Sequence, residues 1–178
     1  GLFWAAVAAS ALTLGLVALW INDAPEFTAN PAAGMRNFLQ AADSPIFLSF
    51  CLASGLLSIA MAQMVVSLSI HATEILHLSS TRLGLLFSLN GLMVVLLQHP
   101  FTEALQGYRI TSALGLGSAL YAVGYGAVGW AGAFPQLLVL MAVVTLGEIV
   151  VSPGLPTLAA NLADEDAKGR YMGFHGLF

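Results

Sequence analysis

Glu148 is the residue that most calls for a chemical reason. It stands in the apolar run 135–151, and an ionised carboxylate at the centre of such a run costs about 3 kcal/mol unless it is paired or hydrated. Three tasks fit it: a structural or gating ion pair, a proton- or substrate-binding carboxylate, and an interfacial acid. A run ending near 151 puts Glu148 within about one turn of its end, where Arg170 or Arg109 can reach it, and this favours the ion pair. A short way on, Asp164, Glu165, Asp166, Lys168 and Arg170 form the densest charge cluster of the chain. Acids at one helix start and bases beyond them can latch neighbouring helices; a solvated turn is the plainer alternative.

Other polar side chains are fewer. Gln63, Asn90 and Thr145 lie inside apolar runs and are candidate substrate-facing groups, although such residues more commonly hydrogen-bond a neighbouring helix. His99, beside Gln98, offers an imidazole to a proton path, but its place near the end of a run favours plain hydration. His71 and His77 are six apart, and Cys51 is the only cysteine, with no neighbouring base. No H-E-x-x-H, C-x-x-C, G-x-S-x-G or G-x-x-x-x-G-K-[ST] pattern occurs, so the sequence predicts no enzyme, no metal, no cofactor and no ATP hydrolysis.

The elements that hold these residues follow from composition. Hydrophobic residues make up 58% and charged ones 8%, against about a quarter charged in a soluble domain, and mean hydropathy is +0.88. The fold class expected is all-α, a polytopic membrane helix bundle. Five runs reach the roughly 20 residues a helix needs to cross a bilayer: 1–21, 45–70, 83–101, 110–130 and 135–151. A sixth starts at 171 and is cut off, so the chain reads as a fragment of a longer protein. Pro25, Pro31 and four charges mark 22–44 as a connecting loop, with a short surface helix at 35–42. Pro45 sits at a first-turn position, and Ser79, Ser80 and Thr81 supply capping hydroxyls for the next helix. Glycines 115, 117, 124, 126 and 129 permit close approach of the fourth run to a neighbour, and Trp130 and Phe134 fit an interfacial belt. A break is expected at Ser152-Pro153-Gly154, and 154–163, which holds Pro156 and is too short to span, is expected at the membrane surface or at the end of a helix.

Orientation follows from the bases. Arg36, Arg109, Lys168 and Arg170 fall in the loops after the first, third and fifth runs, and only Arg82 falls in the alternate set, which places the first group in the cytoplasm. The net charge of −4 and the lack of a basic stripe give no reason to expect nucleic acid.

Taken together, Gly147-Glu148, Ser152-Pro153, Leu162-Ala163-Asp164 and Gly169-Arg170-Tyr171-Met172-Gly173 resemble the tenth helix of the major facilitator superfamily and the loop after it. The likeness is to the bacterial drug-efflux-like branch, and Ser79 to Asn90 resembles the start of that branch's eighth helix. The five runs then match helices six to ten of a twelve-helix transporter, with 22–44 as the cytoplasmic loop between halves and 45–178 as part of the C-terminal half. The loop 100–109 keeps only Gly107 and Arg109 of the family pattern, with Pro100 at the first glycine and Ala104 at the aspartate, and Glu103, one residue earlier, is the candidate substitute for the lost carboxylate.

The resemblance implies secondary active transport by alternating access, with efflux of apolar or drug-like compounds, in the cytoplasmic (inner) cell membrane. It implies a cytoplasmic gate of Glu148, Arg170, Arg109, Glu103 and Asp164. The partners expected are the lipid bilayer, a small-molecule substrate, protons as a candidate coupling ion, and the N-terminal half of the same transporter. A non-transporting membrane scaffold or sensor with the same fold is the alternative.

Overall fold

The computed structural model describes residues 40–163 and 167–178, and the expected first span, the loop at 22–39 and Asp164 lie outside them. A short 3-10 turn, Gln40–Asp43, leads into helix α1, Pro45–Val65. Ser44 caps it by accepting the Phe47 N–H at 3.4 Å, with proline in the first turn as expected. Helix α2, Ser67–Ile70, and a π-helical turn, His71–Ile75, carry the same rod onward. It stops at His77, whose φ of 49° is left-handed, and the Leu78 N–H reaches back to the Ala72 carbonyl at 2.9 Å.

Helix α3, Ser80–Leu105, opens on Ser79, whose hydroxyl accepts the Arg82 N–H at 3.4 Å, so the predicted cap is present. Helix α4 is Ile110–Val128, α5 is Phe134–Asn161 and α6 is Lys168–His175. Among the described residues three helices are long and apolar enough to cross a membrane: Pro45–Ile75, Ser80–Leu105 and Phe134–Asn161. Helix α4 is not one of them, because four glycines and two tyrosines dilute its apolar character.

Two expectations about helix limits need correction. The break at Ser152-Pro153-Gly154 is absent: α5 runs through Pro153 and Pro156 to Asn161, ten residues beyond the expected end. A proline removes one N–H and crowds the preceding turn, but packing along α5 holds the helix together there. Val151, Leu155 and Ala159 are buried, and a Cβ on Gly154 would sit 2.8 Å from Leu114 Cδ2, so this stretch is a close contact with α4. Secondly, α6 begins at Lys168 rather than at 171, which puts Lys168 and Arg170 in its first turn instead of in a loop. The other helices also overrun their expected limits by a few residues, except α4, which ends two residues short.

Packing shows how the helices alternate. One buried cluster joins Phe47 and Cys51, near the start of α1, to Ala159 at the end of α5 and Phe174 of α6. A second joins Leu68 and Ala72 to Leu86 near the start of α3, Val128 at the end of α4 and Leu137 at the start of α5. Helices α1 and α4 therefore run one way, and α3 and α5 the other. The α4–α5 contact is backbone-close: a Cβ on Gly147 would lie 2.9 Å from the Gly117 carbonyl, and one on Gly124 would lie 2.5 Å from Val144 Cγ2. Gly115 and Gly126 face open space, so only part of the glycine set makes the approach.

Candidate functional site

Because α5 does not end at 151, Glu148 sits about 20 Å from either end of that helix. Asn90 stands about 15 Å into α3, and the antiparallel contact of the two helices brings it level with Glu148. The Asn90 amide donates to Glu148 Oε2 at 2.6 Å and to Thr145 Oγ1 at 3.0 Å. Thr145 and Glu148 are three apart and so share a face of α5, which lets a single amide bridge both. Thr145 is wholly buried, and its hydroxyl donates to the Met141 carbonyl at 2.8 Å. Of the three candidate substrate-facing residues, Asn90 thus bonds the carboxylate and Thr145 shares the same amide.

Helix α4 supplies the aromatic side of the site. Tyr121 packs against Gly147, its ring carbons about 3 Å from where a Cβ would stand. The Tyr121 and Tyr125 centroids are 5.5 Å apart. Sequence inspection did not single out these tyrosines; their spacing of four on the glycine-bearing face was the available signal.

Gln63, the third candidate, stands elsewhere. Its amide donates to the Ile59 carbonyl at 3.3 Å and its oxygen accepts from Ser67. With Ser67, His71 and Tyr125 it lines a pocket of about 430 Å³ between the α1–α2 rod and α4. His71 closes that end of the bundle, its Nε2 lying 3.0 Å from the Ala131 carbonyl in the α4–α5 turn.

The residues expected to gate are not assembled around Glu148. Glu103, near the end of α3, pairs with His99 at 3.4 Å, and both are largely exposed. Arg109 is the exposed residue capping α4, and Arg170 is half-buried in α6; neither is ion-paired with Glu148. Arg82, the lone base of the opposite set of loops, lies 5.7 Å from the Phe134 ring centroid. A second cleft, of about 380 Å³, opens where the ends of α3 and α5 meet the start of α4, with Thr102, Gln106, Thr157 and Asn161 on its wall. Among the described residues no group of histidines, cysteines or acids could hold a metal ion.

The family model for the Major Facilitator Superfamily matches residues 1–178. The chain is 28% identical over 104 residues to the uncharacterized MFS-type transporter YttB of Bacillus subtilis, covering 57% of this chain and 26% of that protein. It is 30% identical over 100 residues to the multidrug resistance protein MdtH of Aeromonas hydrophila, covering 56% of this chain and 25% of that one. To MdtH of Citrobacter koseri it is 36% identical over 70 residues, 39% of this chain and 17% of that protein. The matches therefore span about a quarter or less of the length of these relatives. No solved structure matches.

Proposed function

The chain belongs to the major facilitator superfamily, and on that premise we propose that it serves secondary active transport of small molecules by alternating access, as part of a multi-pass membrane protein. The names of its relatives support efflux of drug-like compounds, and the cytoplasmic membrane is the proposed location. A transporter rather than an enzyme is the reading, with the bilayer, the substrate and the transporter's other half as partners and protons as the proposed coupling ion.

One observation carries the proposal: a carboxylate held at mid-length of a long apolar helix by an amide from the neighbouring helix. A polar node of this kind is costly inside a membrane and is typical of substrate and ion paths. Among the described residues the buried polar side chains besides Thr145 are Ser54 and His71, and so short a set supports apolar substrates with few hydrogen-bonding demands. Glu103, Arg109, Asp164 and Arg170 are proposed as charges of the inner gate. The bond from Asn90 supports a separate task for Glu148 inside the bundle.

Alternating access is tested with single cysteines in a Cys51→Ser background. One at Thr157 reports the cleft at the α5 end, and one at Ser67 reports the pocket near His71. Substrate is expected to raise labelling at one position while lowering it at the other in the full-length protein. Labelling that rises or falls together at both would argue against the mechanism.

A further inference from the structure

We propose that the cleft of about 380 Å³ between the ends of α3 and α5 and the start of α4 holds one anionic phospholipid, on the side that the bases assign to the cytoplasm. Depth carries the first part of the argument. Helices α3 and α5, of 26 and 28 residues, are about 39 and 42 Å long, so their ends pass the roughly 30 Å hydrocarbon core and enter the headgroup layer. Thr102 and Gln106 stand where α3 ends, and Thr157 and Asn161 where α5 ends. Ile149, Val150 and Pro153 line the deeper part, about 12–18 Å further along α5. A wall that is polar at headgroup depth and apolar below it matches the two ends of a lipid.

The sign of the headgroup follows from the hydrogen-bond inventory. The Thr102 and Thr157 hydroxyls donate to the Gln98 and Pro153 carbonyls at 2.7 Å, which spends their protons within their own helices. The Gln106 and Asn161 side-chain amides make no hydrogen bond among the described residues, and each brings two N–H donors to the rim. Arg109, between the wall residues Tyr108 and Ile110, is exposed and has no ion pair among the described residues. Glu103, the acid near this end of α3, is held by His99 at 3.4 Å and is not part of the wall. Donors and a guanidinium at this depth suit a phosphodiester, which offers acceptors and negative charge. A zwitterionic headgroup carries its own cation beside the phosphate and gains less from Arg109.

The probe is phosphatidylglycerol with a spin label high on one acyl chain, added to the purified full-length protein in neutral detergent, with spin-labelled phosphatidylcholine as control. A bimane fluorophore on Thr111→Cys in a cysteine-free background, beside the wall but not part of it, reads lipid arrival by quenching. Half-quenching is expected at about fivefold less phosphatidylglycerol than phosphatidylcholine, the worth of one basic side chain against an anionic lipid. Arg109→Gln should remove most of that preference, and Gln106→Ala with Asn161→Ala should reduce it. All three residues are exposed, so the melting midpoint should change little. Equal quenching by the two lipids, or a preference untouched by these variants, would overturn the site. Absence of quenching by either lipid would assign the cleft to another segment of the full-length protein and overturn it too. Loss of quenching on adding excess inorganic phosphate at matched ionic strength would make the ligand a free anion and overturn the lipid assignment.

Discussion

Asn90 of α3 donates to Glu148 of α5 at 2.6 Å, across 58 residues of sequence, and this bond ties together two antiparallel helices. An interhelical hydrogen bond in a membrane contributes about 0.6 kcal/mol on average and up to about 1.7. A charged acceptor belongs at the upper end of that range. Asn90→Ala is accordingly expected to destabilise the protein by about 1–2 kcal/mol in denaturant unfolding from detergent.

The same contact makes a prediction about coupling. Asn90→Ala and Glu148→Gln should be clearly non-additive in a double-mutant cycle, since they remove two ends of one interaction. Glu148→Gln and Arg170→Gln should add, because no ion pair joins these residues. Strong coupling between Glu148 and Arg170 would restore the carboxylate to the gate and weaken the account of a separate interior site.

Glycines of α4 and α5 should differ sharply from those of α3. Gly147→Ala forces a methyl against the Gly117 carbonyl and the Tyr121 ring, and overpacking of this kind costs about 1–3 kcal/mol. Gly91→Ala meets nothing within 4 Å, and helix propensity should make it neutral or stabilising by up to about 1 kcal/mol. Thermal unfolding of the two variants checks both signs; equal losses would mean that the α4–α5 approach is looser than the structure shows.

At the end of the α1–α2 rod, His77 holds a left-handed φ of 49°, a conformation that costs a side chain about 1 kcal/mol and glycine little. His77→Gly should therefore raise the melting midpoint slightly, and His77→Val should lower it. A lower midpoint for the glycine variant would assign the His77 side chain a contact that outweighs its backbone strain.

Much of this was legible in the sequence. Pro45 and Ser79 announced helix starts because first-turn and capping chemistry is local, and the apolar runs announced the helices themselves. Asn90, Thr145 and Glu148 each stood out as polar residues in apolar runs. Their meeting did not, because it depends on the register of α3 against α5. That register is set by packing among residues far apart in the chain. The misplacement of Glu148 had one cause, the weight given to Pro153 and Pro156 as breakers. A proline's local cost is real, but burial of Val151, Leu155 and Ala159 keeps the helix going. Extending α5 to Asn161 moved Glu148 from the end of an element to its middle and exchanged its expected arginine partner for an amide.

Flux through vesicles carrying the full-length protein tests the central claim most directly. With an imposed proton gradient, a drug-like cation such as ethidium should cross faster than in vesicles without the protein, and Glu148→Gln should remove most of the difference. Flux equal to that of empty vesicles, under gradients of either sign, would contradict transport and favour a scaffold or sensor built on the same fold.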